Sequence, residues 1–171
     1  MIGNKNILLC GFMGCGKTTV GKALARRMFR DFLDLDELIC QREGMSIPEI
    51  FAARGEEGFR QAEYEAVLSL ERTTQKVIAA GGGTVTCERS CQALKKSCIL
   101  FFINPGFEDC CRRILGDAGR PIAASSTREE LQALYERRFP LYRQAADYEI
   151  YNHGTTADAV GAIIASLRDE F

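Results

Sequence analysis

The run Gly11-Phe12-Met13-Gly14-Cys15-Gly16-Lys17-Thr18 satisfies G-x4-G-K-[ST] at every specified position. It follows the apolar segment Asn6 to Cys10 (NILLC) and opens a segment with helical periodicity, the context a phosphate-binding loop requires. Glycines let the backbone turn so that successive N–H groups face phosphate oxygens, and the following helix N-terminus adds partial positive charge. Lys17 is placed to reach β- and γ-phosphates, and the Thr18 hydroxyl to ligate Mg²⁺. Motif and context together point to a nucleoside triphosphate rather than to a glycine-rich turn of no consequence. A guanine-reading N-K-x-D is missing after a later strand, since Asn4-Lys5 precedes the loop and lacks the aspartate. A large ATPase needs more chain than 171 residues. Transfer of the terminal phosphoryl group to a small acceptor is the chemistry left.

On the acceptor side, Phe32-Leu33-Asp34-Leu35-Asp36 sets two carboxylates two residues apart at the end of an expected strand, and a period of two aims both at one face. Strand ends are where ligands bind in open α/β sheets. One carboxylate near Thr18 can hold Mg²⁺ through water while the other hydrogen-bonds an acceptor hydroxyl. The alternative is a solvated acidic turn that caps the next helix. Gly81-Gly82-Gly83 follows the apolar run Lys76 to Ala80 and reads either as a linker or as close backbone approach to a ligand. Leu131, Leu134, Tyr135, Arg138 and Leu141/Tyr142 recur at helical spacing, so Arg138 stands in an apolar stripe and must snorkel outward or meet an anion. Arg60 edges the stripe Phe59, Ala62, Ala66, Leu70, where an exposed ion pair with Glu57 or Glu63 would contribute little. Two arginines on one carboxylate would make the acceptor an organic acid. Arg120, before Pro121, is placed like an arginine that closes on the γ-phosphate.

Positioning these groups falls to an alternation of short apolar runs and longer helix-period segments. Strands are expected at 6–10, 32–34, 76–80, 98–103 and 148–151, the first and fourth apolar throughout, as in parallel sheets covered on both faces. Helices are expected at 17–29, 56–72, 88–95, 107–115, 128–142 and 157–167. A further short helix opens with the capping box Ser46-Ile47-Pro48-Glu49 and runs through Phe51. Strand–helix–strand order implies right-handed crossovers and a doubly wound α/β sheet in a single domain. The small-residue polar stretch at 116–127 (GDAGRPIAASST) reads as a mobile loop.

Composition narrows the classes. The 22 basic and 23 acidic residues leave a net charge of −1, which argues against a nucleic-acid coat or a polybasic membrane binder. At 46% hydrophobic residues and four prolines the chain is not disordered. No segment approaches the roughly 20 apolar residues of a membrane span, and no signal-peptide pattern opens the chain. A soluble, cytoplasmic protein is expected. The eight cysteines (Cys10, Cys15, Cys40, Cys87, Cys91, Cys98, Cys110, Cys111) show no C-x2-C metal pair and read as reduced structural thiols.

The ordered set GFMGCGKTT, DLD, GEEGFRQAE, GGG, Arg120-Pro121 and ERRFPLYR closely resembles the shikimate kinase family, essentially end to end. That resemblance implies an α/β fold with a five-stranded parallel sheet flanked by helices, a P-loop kinase of nucleoside-monophosphate-kinase-like architecture. Substrate-binding helices at about 34–63 and a mobile lid at about 113–127 go with it. It implies Mg²⁺-dependent transfer from ATP to the 3-hydroxyl of shikimate, giving shikimate 3-phosphate and ADP on the route to chorismate. By position, Gly14, Cys15, Gly16, Lys17, Thr18 and Thr19 are expected to cradle the phosphates, with Thr18 and Asp34 on the metal. Asp36 is expected to bind shikimate hydroxyls and polarise the attacking one. Arg60 and Arg138 match the pair that holds the substrate carboxylate, with backbone contacts from Gly81, Gly82 and Gly83, and with Phe51 and Phe59 as apolar walls. Arg120 matches the lid arginine, Arg113 falls where a side chain stacks on adenine, and Lys17, Asp36 and Arg120 carry catalysis. Around 152–157 (NHGTTA) no residue is assigned, and His153 reads as a loop residue. The expected partner is the small molecule shikimate, bound by a monomer, with neither nucleic acid nor membrane. The rivals are a gluconate-kinase-like small-acid kinase, an adenylate-kinase-like nucleotide kinase, to which an acid clamp is ill suited, and a catalytically silent nucleotide-binding module.

Overall fold

Five short strands pair into one all-parallel sheet, β1 (Asn6–Cys10), β2 (Asp31–Asp34), β3 (Lys76–Ala79), β4 (Cys98–Asn104) and β5 (Tyr148–Tyr151), in the order β2-β3-β1-β4-β5. The computed structural model from which this is read describes residues 3–115 and 126–168. Every residue of β1 and β4 is buried, as expected for central strands whose two faces are both covered by helices. The register pairs Leu8 with Ile78 on one side and with Leu100 on the other, so the C-terminal ends of β1 and β3 finish side by side. The P-loop leaves β1 and the glycine triplet leaves β3 at that edge.

Among the described residues the helices are α1 (Lys17–Met28), α2 (Leu35–Glu43), α3 (Ile47–Leu70), α4 (Glu88–Ser97), α5 (Phe107–Leu115), α6 (Arg128–Ala145) and α7 (Thr156–Arg168), with a 3-10 turn at Thr84–Thr86 before α4. Two differ from expectation. The periodicity marks no helix at 35–43, although the resemblance implies substrate-binding helices at about 34–63; here Asp34 acts as an N-cap, its Oδ1 accepting from the backbone N–H of Asp36 (3.0 Å) and Glu37 (3.4 Å). The strand therefore stops at Asp34, and Asp36 stands in the first helical turn rather than on the strand face that a period of two implied. In α3 the expected short helix and its successor run together across a kink at Gly55, whose φ of +68° breaks the helical geometry. The capping box at Ser46 is present as read, with Ser46 N–H donating to Glu49 Oε2 at 2.7 Å. The expected lid and its arginine, Arg120, lie outside the described residues but for their ends.

Among the described residues no helix is long and apolar enough to cross a membrane. The eight thiols are free.

Candidate active site

At the edge where β1 and β3 end, Lys17 opens α1 in an unusual way. The N-cap is Gly16, at φ +99°, and the helix has neither a side-chain cap nor an acidic residue in its first turn. Ser46 and Thr127 form full capping boxes on α3 and α6, whereas the first N–H groups of α1 are left open to an outside anion. Lys17 Nζ folds over the loop and donates to Gly11 O (2.8 Å) and Phe12 O (3.0 Å), which holds the ammonium at the loop mouth. A cleft of about 580 Å³ spreads from this loop, and Gly14, Gly16, Lys17, Thr18 and Thr19 form one wall of it. Cys15 is buried beneath, its carbonyl facing Asn152 Nδ2 at 3.5 Å.

The opposite wall carries Asp34 and Asp36 from the β2–α2 junction and Ala80 to Gly82 from the end of β3. Asp34 serves two helices at once. Its Oδ1 caps α2, and its Oδ2 accepts a 3.3 Å hydrogen bond from Thr18 Oγ1. The acidic-cap reading and the metal-side reading of this carboxylate are therefore compatible. Asp36 faces the open cleft yet is crowded by protein, and this burial raises its pKa above the ordinary carboxylate range. The nearby Asp34 and Glu63 charges push the same way, while Lys17 and Arg60 pull it down. Gly81 lies against it so closely that a β-carbon there would be 2.9 Å from Asp36 Oδ1 and 3.0 Å from Thr84 Oγ1.

A second cavity of about 400 Å³ is lined by Arg60, Arg138, Arg137, Glu56, Thr86 and Cys87 among others. The structure thus brings the two predicted clamp arginines to one space, from α3 and α6. Arg60 is not in an exposed pair. Its Nη1 donates at 2.7 Å to Glu63, which is only 1% exposed, and Glu63 also accepts from Thr84 Oγ1 at 2.7 Å. The glycine triplet joins the two spaces, because a β-carbon at Gly82 would stand 3.5 Å from Arg138 Nη1 and one at Gly83 would stand 2.6 Å from Arg60 Nη2. Beneath it the fully buried Tyr142 donates its hydroxyl to Gly82 O at 2.5 Å.

Phe51 and Phe59 stack on each other with ring centroids 4.6 Å apart, and the Arg60 guanidinium rests over the Phe59 ring at 5.3 Å. Neither ring is among the residues that line the two cavities. Arg113 crosses from α5 to the P-loop, donating to Gly14 O at 3.3 Å, and enters the first cleft. Sequence reasoning assigned nothing at 152–157, yet Asn152, Gly154 and Thr156 line that same cleft. Asn152 is 6% exposed and its Oδ1 has no hydrogen-bond partner. A buried, unpartnered acceptor is the signal a structure gives and a sequence does not. His153 is exposed and stacks on Tyr151. Sequence reasoning also passed over Thr84 and Tyr142 as site residues, since neither type signals chemistry without its neighbours.

The residues present fit Mg²⁺: a hydroxyl and a carboxylate oxygen converge beside the phosphate loop, the hard oxygen set this ion takes together with water and phosphate. Among the described residues no cluster of three or more His, Cys, Asp or Glu could hold a metal by itself.

Comparison with known proteins gives a consistent result. The family model for shikimate kinase matches residues 13–168. The shikimate kinase of Geobacter sulfurreducens is 41% identical over 164 residues, covering 95% of this chain and 90% of that one. Among solved structures, shikimate kinase from Acinetobacter baumannii in complex with shikimate aligns with a TM-score of 0.87 at 35% identity, over 98% of this chain and 94% of the other. Shikimate kinase from Aquifex aeolicus aligns with a TM-score of 0.84 at 34% identity, over 96% and 97%.

Proposed function

Because the chain belongs to the shikimate kinase family, we propose that it transfers the γ-phosphoryl group of ATP to the 3-hydroxyl of shikimate, giving shikimate 3-phosphate and ADP. The observation that carries this reading is the glycine triplet. It meets Asp36 at Gly81 on the nucleotide side and both arginines at Gly82 and Gly83 on the acid side, so one short segment links the two spaces.

Each side chain has work that follows from its chemistry. Gly14 to Thr19 and the open N–H groups of α1 receive the phosphates, and Lys17 turns from its carbonyls to the β- and γ-oxygens. Arg113, which donates to Gly14 O beside the phosphate loop, covers the adenine, and Asn152, Gly154 and Thr156 line the same cleft. Thr18 Oγ1 and Asp34 Oδ2 would hold Mg²⁺, which when bound neutralises charge on the phosphate oxygens. Arg60 and Arg138 grip the shikimate carboxylate, and the Glu63 carboxylate keeps Arg60 aimed. Phe59, with Phe51 stacked on it, gives the Arg60 guanidinium an aromatic face to rest on. Asp36 accepts a hydrogen bond from the attacking hydroxyl and receives its proton as the new P–O bond forms. A raised pKa suits that role, since it makes the carboxylate a better acceptor than an ordinary one. Phosphoryl transfer through a loose transition state asks mainly for alignment and positive charge. Arg120, by its place in the sequence, supplies further charge from the lid.

ADP release measured with shikimate and, in parallel, with gluconate tests the assignment. Turnover with shikimate alone is expected. Turnover with gluconate instead, or tight ATP binding with no turnover on any acid, would replace the reading with one of its rivals.

A further inference from the structure

The second cavity holds one nucleophile that phosphoryl transfer does not use. Cys87 is the N-cap of α4 and stands half-buried in the wall that Arg60, Arg137 and Arg138 also line, with Glu56 as the one carboxylate there. As a thiol it makes no capping hydrogen bond. Three residues on, Ser90 is fully buried and its hydroxyl has no partner. A thiolate is a far better acceptor than a thiol and would satisfy that hydroxyl together with the open helix N-terminus. Burial works to raise the Cys87 pKa, but the Ser90 N–H, the Ser90 hydroxyl and Arg89 outweigh it and hold the group below the ordinary thiol value. Cys10, Cys91, Cys98 and Cys110 are all pushed upward by burial.

We propose that Cys87 is a modification site for a carboxylate-bearing low-molecular-weight disulfide, drawn in by the arginines of the acid cavity, and that the mixed disulfide shuts that cavity. The Cys87 sulfur attacks one sulfur of the incoming disulfide, so that a new S–S bond forms as the old one breaks. The departing thiolate takes up the proton that Cys87 gave, and the disulfide is the oxidant consumed. That closure inhibits the enzyme rests on the acid-clamp reading above; that Cys87 reacts first does not.

Glutathione disulfide is the probe, with neutral bis(2-hydroxyethyl) disulfide beside it, and peptide mass mapping follows each thiol with time. Cys87 is expected to react about tenfold or more faster than Cys91, one turn further along the same helix. It is expected to prefer the charged disulfide and to be slowed by shikimate. Shikimate turnover should fall with Cys87 occupancy and return with dithiothreitol. Serine is an ordinary N-cap, so Cys87→Ser folds, and its turnover should no longer respond to the disulfide. Equal labelling of Cys87 and Cys91, or full Cys87 occupancy with undiminished turnover, would overturn the proposal. Protein that never turns over shikimate, even untreated, would fail the functional reading instead, while the labelling ratio would still decide the thiol.

Discussion

A single methyl group at Gly83 tests how the acid clamp is held. Gly83 sits at φ −107° and ψ −4°, in the bridge region that is open to L-residues, so Gly83→Ala does not demand a left-handed backbone. The new β-carbon would stand 2.6 Å from Arg60 Nη2 and 2.9 Å from Nη1, whereas ordinary contact begins at 3.4 Å. The guanidinium must therefore move by about 1 Å, a displacement on the scale that costs catalysis roughly a hundredfold when it falls on a positioning group. Backbone cannot give here, but the far end of an arginine can. Losing one charge-assisted hydrogen bond to the substrate carboxylate costs about 1.5–3 kcal/mol, roughly a 10- to 100-fold rise in shikimate KM. Nucleotide KM should stay put, because Gly83 touches nothing in the phosphate cleft. Initial rates of ADP release against shikimate concentration measure the effect. Combining Gly83→Ala with Arg60→Ala isolates its route, since a methyl that acts only through Arg60 adds nothing once Arg60 is gone. An unchanged shikimate KM, or full additivity in the double variant, would refute the reasoning. Gly82→Ala is the comparison, for its β-carbon meets protein only at 3.5 Å and beyond.

Other expectations follow from the same geometry. Asp36→Asn should cut kcat by orders of magnitude while ATP binding, followed by calorimetry, survives. The folded-state pKa of Asp36 is raised, so ionising this carboxylate opposes folding, and its favourable contribution is present below the ordinary carboxylate pKa and lost as pH rises through the raised value. Asp36→Asn should therefore unfold at a temperature no lower than the parent at neutral pH, a comparison that a melting curve settles. Arg138→Lys replaces a bidentate fork by a point charge and should raise shikimate KM sharply with nucleotide KM unchanged. Ser46→Ala removes the capping box of α3 and should cost about 1 kcal/mol in urea unfolding, with little effect on turnover.

Much of this site was legible as sequence because its parts are local. The phosphate loop is one uninterrupted segment whose glycines, lysine and threonine act within a single turn. The two central strands announced themselves through continuous apolarity, and the Ser46 box through its own spacing. What escaped was set by contacts between distant segments. Helix α2 has a weak amphipathic pattern, and its start depends on Asp34 giving one oxygen to two backbone N–H groups and the other to Thr18. Arg60 reads as a carboxylate clamp whose alternative is an exposed pair with Glu57 or Glu63, and nothing local says that Glu63 does pair with it but as a buried carboxylate, held by Thr84 21 residues beyond. Tyr142 read as core, and core it is, but its hydroxyl reaches Gly82 across 60 residues of chain. Asn152 falls in the same class, since only the fold brings it beneath Cys15.

Phosphorus NMR of the product formed from ATP and shikimate tests the central claim most directly. The predicted spectrum shows ADP and one phosphomonoester in equal amounts, the latter coupled to the proton on C3 of the ring. Free phosphate with unaltered shikimate, or a phosphate carried on another ring hydroxyl, would contradict it.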